Sequence, residues 1–121
     1  MCEQLTIFDV LRSPIIKKSE KEDGEVINRM DYILPNPKSA LHIATLSVGQ
    51  HSKNKLWLWC VTYCYEQSGG GYGLHPTTRI FAETEADALY YAAKELHDGI
   101  IKYEKLSTLQ REALAWVKNF L

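Results

Sequence analysis

The sequence predicts an α+β fold: a three-stranded antiparallel meander, two C-terminal helices packed on one of its faces, and a flexible N-terminal arm. Three observations carry that reading. Leu56 to Tyr65 is dense in aromatic and β-branched residues and is broken by the glycine-rich stretch Ser68-Gly69-Gly70-Gly71-Tyr72-Gly73. Beyond residue 83, apolar residues recur at helical spacing in two blocks, each opened by a capping residue. Ahead of both, Lys17 to Glu25 is a run of nine residues with no apolar member. Such a run cannot bury enough surface to offset its ordering entropy, so it reads as solvated linker or mobile loop.

The elements follow in order. Residues 1–38 are assigned to arm and linker, and residues 39–121 to a single α+β domain. Val26 to Leu34 is undecided between a short strand and a helix, and Pro35 and Pro37 close it. Ala40 to Val48 leans to strand, Leu56 to Tyr65 is the clearest strand, and Thr77 to Ala82 is the third. The glycine stretch between the last two reads as a hairpin loop. Thr84 is an N-cap with Glu85 and Asp87 in the first turn, and the helix stripe runs Leu89, Ala92 or Ala93, Leu96, Ile100 and Tyr103. Ser107 with Gln110 forms a capping box for a second helix striped by Leu109, Ala113, Trp116 or Val117, and Phe120.

With 121 residues, 45% of them hydrophobic and 24% charged, the chain fits one ordinary globular domain that needs no metal or disulfide staple. Its net charge of −1 makes it no electrostatic trap, so direct nucleic-acid binding is disfavoured. No stretch approaches the ~18–20 apolar residues of a membrane span. Glu3 and Asp9 stand where a signal peptide would have a basic start and apolar core. The three cysteines, Cys2, Cys60 and Cys64, are odd in number and read as reduced thiols, which places the protein in the cytoplasm.

No catalytic set converges. The four histidines are scattered, and no serine or cysteine sits in a nucleophile elbow. Gly69 to Gly73 lacks the lysine of a phosphate loop and precedes a strand rather than a helix. Cys60 and Cys64 lack a second ligand pair at zinc spacing, so neither metal nor cofactor is expected. The chain therefore reads as a non-enzymatic interaction protein.

Two surfaces are candidates for that interaction. With period two, Trp57, Trp59, Val61, Tyr63 and Tyr65 share one side of the central strand, and Leu56, Leu58 and Cys60 share the other. The smaller aliphatic side suits the helices, which would leave Trp57, Trp59, Tyr63 and Tyr65 as a partner-binding face. The alternative is that the arm or a homodimer partner covers those aromatics. The second candidate is the N-terminal peptide Gln4-Leu5-Thr6-Ile7-Phe8. It resembles the pentapeptide, in outline Gln-Leu-Ser/Asp-Leu-Phe, by which bacterial proteins dock on the replicative sliding clamp. Gln4, Leu5 and Phe8 match, Ile7 is conservative, and Thr6 departs from the small or acidic preference. The resemblance implies a bacterial or mobile-element protein that docks on the clamp through Gln4, Leu5, Ile7 and Phe8. The competing reading has Leu5, Phe8 and Leu11 as a helical turn packed on the domain.

The passage from Arg79 to Ile100, a strand leading to a helix with Ala86, Ala88, Ala92-Ala93 and Leu96, resembles two further families: the closing half of double-stranded-RNA-binding domains, and HicB-type antitoxins. Glu85 and Asp87 stand where the RNA-binding family needs lysines, which opposes that role. The antitoxin resemblance implies an alternative function, a host-defence inhibitor or antitoxin-like protein that acts by protein binding through the aromatic face.

Overall fold

A computed structural model describes residues 13–66 and 68–121. In chain order they form β1 (Ile16–Lys17), β2 (Val26–Leu34), β3 (Ala44–His51), β4 (Trp57–Cys64), β5 (Gly69–Gly71) and β6 (Ile80–Phe81). Two helices follow, α1 (Glu85–Ile100) and α2 (Thr108–Val117), and a 3-10 turn at Lys118–Phe120 closes the described chain. The fold is α+β, as expected. β2, β3, β4 and β5 make one antiparallel meander in sequence order, while β1 and β6 pair in a separate two-stranded sheet.

The sheet differs from the sequence reading at both edges. Residues 26–34 form a nine-residue strand against β3, with a bulge between Ile27 and Met30. Asn28 takes a φ of 53° in that bulge, a conformation asparagine tolerates better than most residues, and its amide nitrogen donates to Gln50 Oε1. At the other edge the expected third strand, Thr77 to Ala82, does not join the meander. Only Ile80 and Phe81 are extended, opposite Lys17 and Ile16, and Ala82 makes a lone bridge to Trp57. The glycines themselves take the place beside β4, in the register Thr62–Gly71, Tyr63–Gly70 and Cys64–Gly69. The tight return closed by Tyr65 N donating to Ser68 O at 2.7 Å brings them back at once. That is a shorter path than any open to residues 77–82.

The helices form as their caps dictate. Thr84 Oγ1 accepts from Asp87 N, and Ser107 and Gln110 complete a reciprocal capping box. They pack on the face of the sheet opposite to the one expected. Trp59, Val61 and Tyr65 lie in the core with Ala88, Ala92, Ala93, Leu96 and Ile100, so Trp59 and Tyr65 are buried rather than open. Size complementarity is the reason. α1 turns alanines toward the sheet, and a helix surfaced in methyl groups comes close enough to need large side chains facing it. The register adds a second cause. Tyr32, Leu46 and Val61 are cross-strand neighbours and continue the apolar face across three strands. The row beside them, Asp31, Ser47 and Cys60, runs through a carboxylate and a hydroxyl. Leu58 and Cys60 are nonetheless buried, each 2% exposed, on that opposite face.

The charged run keeps its side chains in solvent, as expected, but its backbone is fastened. Lys18 N donates to Arg79 O, and Ser52 N donates to Glu25 O. Glu25 N donates to Ser52 Oγ at 2.8 Å. His51 is fully buried and edge-on to Phe81. Its Nδ1 accepts from Lys53 N at 3.1 Å, which makes Nε2 the protonated nitrogen that donates to Glu22 O at 2.9 Å.

Candidate functional site

Where the C-terminal half of α1 passes the β4–β5 hairpin, the packing opens into a cleft of about 310 Å³. Tyr63 at the end of β4 and Tyr65 just beyond it project onto the helix-facing side, their rings stacked at 5.0 Å and 25°. Tyr72 follows β5, and Tyr103 follows α1; both line the cleft and are about half exposed. Val61 and Leu96 form the apolar floor. Glu95 supplies a carboxylate, the one acidic group among the described lining residues, whose oxygens accept from two aromatic donors: Oε1 from Trp59 Nε1 at 2.8 Å and Oε2 from Tyr72 Oη at 2.7 Å. These bonds pin the rim of the hairpin to the helix.

Glycines shape the walls. Gly71 has a φ of +135°, and a Cβ there would come within 2.5 Å of Val61 O and 2.6 Å of Thr62 Cα. Only glycine fits. At Gly70 a Cβ would reach 2.9 Å from the Tyr63 hydroxyl, so the bare backbone lets that phenol lie across the hairpin. Gly99 is different: it lines the cleft from inside α1, and a Cβ there would meet nothing within 4 Å. A helical glycine with no close neighbour keeps space open at a cost in helix stability.

The phenols of Tyr65 and Tyr72 are held neutral. The Tyr65 hydroxyl is pushed well above its ordinary range by burial, then by the neighbouring Tyr63 and Tyr103 hydroxyls. The Tyr72 hydroxyl is pushed up by burial, then by its bond to the Glu95 carboxylate. No lysine, arginine or histidine lines the cleft among the described residues.

On the opposite face, Ser47 Oγ donates to Asp31 Oδ1 at 2.5 Å, with Cys60 next in the row. That resembles part of a nucleophile site, but the pieces do not complete one. Burial pushes the Cys60 thiol up, away from thiolate. His51, on the same face of β3, spends both ring nitrogens on backbone groups. Cys60 and Cys64 are free thiols. Among the described residues no group of three or more histidine, cysteine and acidic side chains is placed to hold a metal ion, and no helix is long and apolar enough to cross a membrane.

Of the aromatic residues singled out from sequence, Tyr63 and Tyr65 meet in the cleft. Trp59 is core that reaches the cleft only through Glu95, and Trp57 is half-buried at the far end of β4, opposite Ala82. Gln4, Leu5, Ile7 and Phe8 lie outside the described residues. Sequence reasoning missed Tyr72, Glu95, Gly99 and Tyr103. Two signals were present: a glycine inside a helical pattern, and a tryptophan whose indole N–H needs an acceptor once buried.

Comparison of the chain with protein-family models, with curated proteins and with solved structures yields no match.

Proposed function

We propose that this is a non-enzymatic interaction protein that takes a side chain of a protein partner into the cleft between the β4–β5 hairpin and the C-terminal half of α1. The observation that carries the proposal is the combination at one opening of four tyrosines, one carboxylate and a helical glycine that leaves the space in front of it empty. Tyrosine is enriched at recognition surfaces because it offers a broad apolar face and a polar tip at little entropic cost. The test is comparative capture from a bacterial lysate by the full chain and by Gly99→Met, with circular dichroism to verify folding. A Cβ at position 99 meets nothing within 4 Å, and the longer methionine side chain extends from there into the cleft, so a cleft-bound partner is lost from the variant. A partner captured equally by both proteins binds elsewhere and refutes the cleft.

A second reading has its own observation, the peptide Gln4-Leu5-Thr6-Ile7-Phe8. The arm docks on a bacterial sliding clamp through Gln4, Leu5, Ile7 and Phe8, a glutamine amide and apolar anchors filling a groove. The described chain begins at Ser13, whose carbonyl accepts from the Tyr91 hydroxyl on α1. A synthetic peptide of residues 1–12 then binds the clamp at roughly micromolar affinity, and Phe8→Ala removes most of the binding. No calorimetric signal at several hundred micromolar excludes it. The two readings separate cleanly, since Gly99→Met spares the arm and Phe8→Ala spares the cleft.

A further inference from the structure

The chemistry of the cleft goes one step further than its shape. Resting on the reading of the cleft as a socket for a partner's side chain, we infer that the side chain it accepts is cationic, the guanidinium of an arginine or the ammonium of a lysine.

Four observations converge on a cation. Tyrosine rings carry negative charge density on their faces, and a cation held near several of them is attracted by the ring quadrupoles. Tyr63, Tyr65, Tyr72 and Tyr103 contribute rings from three separate segments, so they surround the opening rather than line one side of it. The Tyr65 and Tyr72 phenols, whose pKa values are raised, add no formal charge of their own.

Glu95 supplies the sign. A carboxylate offers about four acceptor positions, and Trp59 and Tyr72 occupy one on each oxygen. The remaining positions face no lysine or arginine of the described chain; the nearby Lys94 is turned to Asp98 at 3.2 Å. An apolar side chain seated here would strip water from that carboxylate with nothing to replace it, which is unfavourable. An anion would meet Glu95 with no cationic residue among the described residues lining the cleft to offset it. A cation answers both demands, pairing with the carboxylate while the rings cover its alkyl stem.

Size agrees as well. At about 310 Å³ the opening is at the small end of ligand pockets, suited to one long side chain rather than a peptide segment.

The experiment uses the 15N-labelled full chain and three capped amino acids: the N-acetyl, N-methylamide forms of arginine, lysine and norleucine. Norleucine keeps a linear alkyl chain and lacks the charge. Choline is added as a fourth probe, to separate a side-chain socket from a site for a free quaternary amine. Arginine and lysine are expected to shift the amide resonances of residues 61–72 and 95–103, at millimolar or tighter affinity. Norleucine is expected to bind at least roughly tenfold more weakly, the fold-change of one desolvated cation–π and carboxylate pairing. Glu95→Gln should shrink that preference to the part the rings supply, while Gln still accepts from Trp59 or Tyr72 and keeps the hairpin in place. Equal binding of norleucine and lysine would overturn the cation and leave the socket standing. Choline far tighter than either amino acid would overturn the side-chain source. No shift in those segments from any of the four would overturn both the cation and the socket.

Discussion

The interface between α1 and the sheet has two halves that obey different rules. Toward the N-terminus of the helix, Ala88, Ala92 and Ala93 are completely buried against large sheet residues, and no space is left. Toward the C-terminus, Leu96 and Ile100 stay in the core, but Glu95 and Gly99 beside them are exposed, and a cleft opens. Helix and strand are continuous through both halves, so the difference lies in side chains alone. An interface is closed by matching small against large. Where the helix offers nothing to match the tyrosines of β4, it is left open.

That contrast can be broken by measurement. The largest effect belongs to the closed region. Leu46, fully buried between Tyr32 and Val61, should cost about 2–5 kcal/mol when cut to alanine, as judged by urea melts. Leu96→Ala should fall toward the lower end of that range, because Leu96 borders the cleft and water can enter the space it vacates. A larger loss at Leu96 than at Leu46 would show that the cleft is no less packed than the core.

Next in size is the hairpin wall. Gly71→Ala forces a positive φ on a residue with a Cβ and drives that atom against backbone, so it should destabilise by roughly 1–3 kcal/mol. The disturbance should stay local, visible in resonances of residues 61–72, and a uniform loss across the whole sheet would contradict a separable hairpin. Smaller and opposite in sign is Gly99→Ala, which should stabilise by roughly 0.5–1 kcal/mol, since the new methyl group meets no neighbour and the helix gains propensity. A loss of stability there would mean that the space is already filled.

The smallest effect serves as a control, on the far face of the sheet. The Ser47 hydroxyl, and then Arg29, hold the Asp31 carboxyl below its ordinary range. A group whose folded pKa is depressed contributes stability above its unfolded pKa, about 4, and loses it as pH falls through the folded value. Asp31 is substantially exposed and its pair with Arg29 lies at the surface, so the contribution is small. Asp31→Asn should flatten the acid limb of the stability–pH profile slightly and leave the cleft untouched, as followed by chemical denaturation between pH 2 and 6.

The helices were legible because their signals are local: a cap three residues from its partner and a stripe at helical spacing. Strand identity in residues 44–48 and 57–64 was legible for the same reason, whereas the polar residues 49–51, which read as turn, continue β3. Which face the helices cover was not, although a clue existed. Ala44, Leu46 and Val48 alternate with Thr45, Ser47 and Gly49 on β3, and pairing them with β4 places the aromatics on the apolar side. Weighing β4 by itself hid this, because both of its faces are apolar in sequence and burial depends on the neighbour. The order at the sheet edges was hidden by chain return, since β5 is only glycine and has no pattern to read. The cleft joins Tyr72 to Glu95 across 23 residues, a separation that no local spacing rule covers.

The strap formed by residues 17–25 has a consequence for how this chain can change over time. Its route is fixed almost wholly by main-chain groups: the amides of Lys18 and Glu25, and the carbonyls of Glu22 and Glu25. A path held by atoms that every residue shares places little demand on the side chains, so most of these positions can drift without altering the route. Gly24 cannot. A Cβ there would lie 2.5 Å from the ring of His51, the same ring that grips Glu22 O. Two residues 27 positions apart are thereby linked: while His51 keeps its ring, position 24 is held to glycine.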